Sequence, residues 1–157
     1  MVTRLVSFIL LFSAAARADK AGFVSEFTEL SGPTCVVAAG ADSSAECPGL
    51  MGYRINVDRE DGKTSLRIEK GGYTAIVPED GALRFAPKLE WRRKGEMPLA
   101  VIVRAFLPGK KGGEREVVLM QGLDGNVRMK AEVNVAKYKD PEAHVRAKAD
   151  KGRATPR

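Results

Sequence analysis

The chain has 157 residues, 44% of them apolar and 29% charged, with a formal net charge of +6, two cysteines and one histidine. That length can bury a core without heavy cross-linking and is one domain's worth of chain. A single histidine leaves a Ser-His-Asp arrangement dependent on His144 alone, and no metal cluster stands at ligand spacing.

Residues 1–18, "MVTRLVSFILLFSAAARA", read as a signal peptide. Arg4 supplies the positive start, residues 5–16 form an apolar run, and Ala16-Arg17-Ala18 is a small-x-small cleavage site. The mature chain is expected to begin at Asp19, in a periplasmic or secreted compartment. The apolar run is well short of the roughly 20 residues that span a bilayer, and no later segment is apolar enough to cross one. The residue directly after the cleavage site is Asp19 rather than a cysteine that could accept a lipid anchor.

Without Arg4 and Arg17 the chain holds 24 basic and 20 acidic side chains, a charge of +4. Residues 137–157 carry seven basic and three acidic groups and so account for all of it. A nucleic-acid binder needs its excess on a folded face, whereas this excess sits on a terminus. Nucleic acid is therefore not an expected partner.

Both cysteines, Cys35 and Cys47, lie in the mature chain, and export delivers them to an oxidising compartment. Only one intramolecular pairing is open to them, and their spacing fits neither a redox nor a haem-attachment motif. A structural Cys35–Cys47 disulfide is expected, stapling the small, polar loop "GADSSAE". Closing so short a loop is worth about 3 kcal/mol in the chain-entropy model.

A weak strand is expected at residues 27–30 and a stronger one at 34–39. "GYRINVDR" alternates, with Tyr53, Ile55 and Val57 on one face, and "TSLRIEK" places Leu66 and Ile68 together. Asp61-Gly62 between them predicts a hairpin turn. Gly71-Gly72 precedes a short apolar run, "YTAIV", ended by Pro78. Next come a strand carrying Leu89 and Trp91, a turn at Lys94-Gly95, and a long strand over residues 99–107. The long strand is apolar on both faces except at Arg104, which predicts a central position. "GKKGGE" leads to "REVVLMQGL", and Asp124-Gly125 is a hairpin-type turn. From 127 to 135 the odd positions are apolar and the even ones polar, which predicts a half-exposed strand. Asp140 as N-cap, Pro141 and Glu142 open a short helix that Gly152 stops. The expected fold is mainly β: an antiparallel sandwich or strongly curved sheet of about seven strands with one short C-terminal helix. The expected divisions are residues 1–18 as leader, 19–139 as β-rich domain, 140–152 as helix and 153–157 as basic tail.

Little here points to catalysis, to a metal or to a cofactor. "DREDG" puts carboxylates at positions one, three and four with glycine at five, a turn rather than a calcium loop. "PGKKGGER" lacks the phosphate-loop order and leads into a strand. Trp91 beside Arg92, Arg93 and Lys94 reads either as a core tryptophan next to a charged turn or as an aromatic and cationic binding patch. Arg104 reads as the partner of an acid or as the lining of a cleft.

At "CPGLMGYRINV" and "LEWRRKGEMPLAVIVRAF" the chain resembles a family of small exported proteins of alphaproteobacteria. The matching residues are 27–30, Cys35, 47–49, 90–92 and 98–104. The cysteine that family members often carry in the last strand is missing here. The resemblance implies export, one disulfide and a β-rich domain, and it implies no activity. The functional expectation is a non-catalytic periplasmic binding module whose partner is another periplasmic protein or an envelope component. The alternatives are an envelope hydrolase using a carboxylate pair and a carrier of a small apolar ligand.

Overall fold

The structure is a computed structural model that describes residues 22–37 and 44–152, together with the backbone of Arg17 and Ala18. Apart from that backbone, the expected leader lies outside the described residues, as do most of the stapled loop and the basic tail.

Eleven strands are described, in the order β1 (Arg17–Ala18), β2 (Phe23–Glu29), β3 (Val36–Val37), β4 (Ala45–Pro48), β5 (Arg54–Glu60) and β6 (Lys63–Lys70), then β7 (Tyr73–Ala82), β8 (Arg84–Lys94), β9 (Met97–Pro108), β10 (Glu114–Gly122) and β11 (Lys130–Asn134). Helix α1 (Pro141–Ala149) follows. The strands form two antiparallel sheets, ordered β1-β2-β8-β9-β10-β11 and β3-β4-β5-β6-β7. Of the expected sandwich and strongly curved sheet, the mainly β sandwich with a helix near the C-terminus is the fold adopted. Eleven strands are described against about seven expected, three of them (β1, β3 and β4) only two to four residues long.

Alternation explains how the layers pack. Ile55, Leu66, Ile68, Leu89, Trp91, Val101, Val103 and Val117 are buried together between the sheets. On the other face of the first sheet, Ala100, Ile102, Val118, Met120 and Val133 pack against Val145 and Ala149 of α1. Strand β9 is apolar on both faces because both are covered, and it lies between β8 and β10 as its pattern predicts. The hairpin of β5 and β6 turns at Asp61-Gly62, where both residues have positive φ.

Four local expectations change. The apolar run at 34–39 supplies only the two-residue β3, and Val36 and Val37 are exposed at the edge of the second sheet. The weak signal at 27–30 belongs to a seven-residue strand paired along β8. Strand β7 continues through Pro78 instead of stopping there. It can do so because β7 ends its sheet, and an edge position does not require the amide that proline lacks. The strand expected at 127–135 is confined to β11. The backbone turns twice between Leu123 and Met129, and the Asn134 side chain accepts from Ala136 N at 2.9 Å to close a 3-10 turn at Val135–Lys137. Gly122 makes the first of these returns possible, since a Cβ there would lie 1.9 Å from the Asn126 carbonyl oxygen.

The disulfide joins Cys35, just before β3, to Cys47 in β4, with 4.2 Å between the Cα atoms. Cys47 is buried in the core, so the bridge anchors the exposed β3 edge to the packed interior. Helix α1 begins as its sequence predicts, with Asp140 Oδ1 accepting from Ala143 N at 2.8 Å.

Candidate functional site

Consecutive residues of β8 go to different environments, which separates the cationic and aromatic group at 91–94. Trp91 is buried between the sheets, its indole N–H donating to Thr28 Oγ1 at 2.8 Å and its ring 5.5 Å from that of Tyr53. Arg92 is 2% exposed and donates two hydrogen bonds of 2.7 Å to Asp150, the residue that follows α1, and one of 3.0 Å to Ser25 Oγ of β2. Arg93 is held by Glu26 and by the Gly95 carbonyl, and the Lys94 ammonium stands 5.3 Å from the Phe23 ring centroid. Trp91 and Arg92 are therefore core groups and do not share an open surface with Arg93 and Lys94. Arg104 pairs with Glu116 at 2.6 Å and with Glu142 of α1 at 2.9 Å. The His144 ring lies with its centroid 4.5 Å from that of Tyr138, tilted by 42°.

The contacts of Arg92 and Arg104 belong to a charged dock beneath the helix. Glu90 is buried and receives Ser25 Oγ at 2.5 Å and both arms of Arg146, at 2.7 and 2.8 Å. Glu142, Arg146 and Asp150 recur at four-residue spacing and so form one stripe of the helix. They meet Arg104, Glu90 and Arg92 respectively, with opposite sign at every step. The neighbouring stripe, Pro141, Val145 and Ala149, is buried. Hydrogen bonding to Glu90 raises Arg146 above its ordinary pKa, and bonds to Glu142 and Glu116 do the same for Arg104. Chemically this is a closed set of ion pairs, with carboxylates and guanidiniums matched to each other. Sequence reasoning missed Ser25, Glu90, Arg146 and Asp150. A signal was present: Glu90, Arg92 and Arg104 are even-numbered charges on strands whose odd positions are core, and 142, 146 and 150 carry the complementary charges.

Several acids come together among the described residues. Asp58, Glu60, Asp61, Glu79 and Asp80 line a hollow of about 240 Å³. Asp58, however, receives Arg67 at 2.9 and 3.3 Å, and Glu79 is paired with Lys130. Glu79 and Glu114 are both pushed below the usual carboxylate range, by Lys130 and Arg84 respectively. A general acid needs the opposite shift. Among the described residues no group of three or more histidine, cysteine or acidic side chains is placed to hold a metal ion.

Another open feature among the described residues is a groove at one side of the sandwich, where β7 ends the second sheet and faces β10 and β11 of the first. Two hollows of about 330 and 350 Å³ adjoin there, sharing Ile76, Glu79, Gln121 and Lys130. Ile76 and Val127 stand at the groove 45% and 46% exposed. Gln121 is buried, and its amide donates to the Gly122 and Val127 carbonyls at 2.9 and 3.0 Å. The Tyr73 hydroxyl donates to the Gly122 carbonyl at 2.8 Å, and burial, reinforced by Tyr53, pushes the phenol up to about 12. Glu79 and Lys130 form an ion pair from β7 to β11. The groove is lined by apolar side chains together with polar groups that are hydrogen-bonded or paired within the protein.

Fold and groove together define a disulfide-linked antiparallel β-sandwich with a helix docked on one sheet. No protein-family model matches the chain, and neither a curated protein nor a solved structure matches it.

Proposed function

We propose that the protein is an exported, non-catalytic binding module of the periplasm or extracellular space that engages another protein or an envelope component. The observation that carries this reading is the groove beside β7, where Ile76 and Val127 leave apolar surface in water while the surrounding charges are paired. The leader-like residues 1–18 and the Cys35–Cys47 bridge support the address, because disulfides persist in oxidising compartments. The binding surface is assigned to the groove rather than to residues 91–94, since Trp91 and Arg92 are buried.

The test is co-purification from the native compartment, with wild type and Ile76→Asp compared by mass spectrometry. A stoichiometric partner held by wild type and lost in a folded Ile76→Asp variant is the expected result. A partner retained undiminished by the variant would remove the groove from the interface. A mature N-terminus other than one near Asp19 would remove the proposed address.

A further inference from the structure

Resting on the binding-module reading, we propose that the groove receives an extended, uncharged segment of a partner protein that adds as a sixth strand to the second sheet, alongside β7.

The geometry begins at the turn between β6 and β7. Lys70 pairs with Tyr73 across Gly71-Gly72, whose φ values of 52° and 85° are those of a two-residue hairpin turn with both central residues left-handed. In such a turn the first and fourth residues are hydrogen-bonded. Antiparallel pairing then alternates, so Tyr73, Ala75 and Val77 bond inward to β6. The amides and carbonyls of Thr74 and Ile76 point the other way. Since β7 is the last strand of its sheet, they point out of it, and among the described residues no backbone hydrogen bond reaches them from that side.

The groove lies along this edge. One hollow is lined by Tyr73, Thr74, Ala75 and Ile76, the other by Ile76, Val77, Pro78 and Glu79. Successive side chains of a strand face opposite ways, so a hollow touching consecutive residues must run beside the backbone. Its far wall is the end of the other sheet, from Leu119 to Gln121 and from Lys130 to Glu132. An entering strand would bond to Thr74 and Ile76 and lay its side chains toward Val127 and the β10–β11 wall, the mode of recognition by strand addition. Charge selects the occupant further. Glu79 is matched by Lys130, and Glu132 by Arg115, so the walls offer no unmatched charge to a nucleic acid or to a charged peptide. Pro78, which has no amide, limits the template to the Thr74–Ile76 stretch and restrains indiscriminate edge pairing.

The probe is a random heptapeptide library displayed on phage and selected on the disulfide-intact mature protein. Enriched peptides are then studied by amide hydrogen exchange. The expected result is enrichment of uncharged, β-prone sequences that slow exchange at Thr74 and Ile76. Ile76→Pro, which removes an outward amide and no ladder bond, should weaken binding by roughly tenfold. Peptides that bind while leaving both amides unprotected would overturn strand addition and leave the binding-module reading standing. A selection returning no binder would also overturn it, and native co-purification then decides the broader reading by itself. The exchange measurement on wild type keeps the test decisive should Ile76→Pro fail to fold.

Discussion

On the face of the first sheet that looks toward the second, Leu89, Trp91, Val101, Val103 and Val117 exclude water with apolar surface. On the opposite face, the intervening residues Glu90 and Arg92, with Arg104, meet the charges of α1 beside a smaller apolar cluster. Both faces are covered, yet they contribute differently. Apolar burial is non-directional and supplies most of the stability. Buried ion pairs recover little beyond their desolvation cost, but an orphaned partner is strongly unfavourable. The difference suggests that the inner face stabilises the sandwich while the charged dock sets where, and in which rotation, the helix sits.

The largest effect should come from breaking the apolar side. Trp91→Ala removes the largest fully buried side chain and should cost about 3–5 kcal/mol in chemical denaturation. A loss below about 1 kcal/mol would mean that the inner face is not the main source of stability.

The charged side is sharpened by a pair of substitutions. Glu90→Ala leaves Arg146 and Ser25 without their acceptor and should cost about 3 kcal/mol. Combining Glu90→Met with Arg146→Met removes both charges and should return stability to within about 1–2 kcal/mol of wild type. If the double variant instead loses as much as the two single Met variants added together, the dock is a source of stability and the contrast between the faces fails.

The smallest effect concerns Tyr73, the polar group at the margin of the apolar side. Its folded pKa of about 12 lies above the unfolded value. The stabilisation it carries is therefore complete below about pH 10 and is lost as pH rises toward 12. Ultraviolet titration should show a late phenolate that disappears in Tyr73→Phe. The alkaline fall in stability should be shallower in that variant. An unchanged titration curve would place the shift elsewhere.

Much of the sandwich was legible because its signals are local. The alternation around Ile55, Leu66 and Val101, the turns at Asp61-Gly62 and Asp124-Gly125, and the Asp140 cap each involve residues a few positions apart. Where local signals misled, a contact outside the patterned segment, or a link to its far side, overrode them. The apolar run at 34–39 became an exposed edge tethered by a disulfide, and the alternating stretch at 127–135 was cut short by the Gly122–Asn126 approach. Trp91-Arg92-Arg93-Lys94 resembled a patch because sequence adjacency suggests spatial adjacency. In a strand, adjacency places neighbours on opposite faces.

What the sequence determined by itself is the class of structure: one possible disulfide, strands of period two and a capped helix. Tertiary structure alone decided which charges are buried and which sheet edge is open. Glu90 finds Arg146 fifty-six residues away, and Arg92 finds Asp150 fifty-eight residues away. No periodicity encodes such pairings, because their free energy exists only once the helix has packed on the sheet. The β7 edge is likewise a property of strand order, set by where the chain leaves one sheet and enters the other.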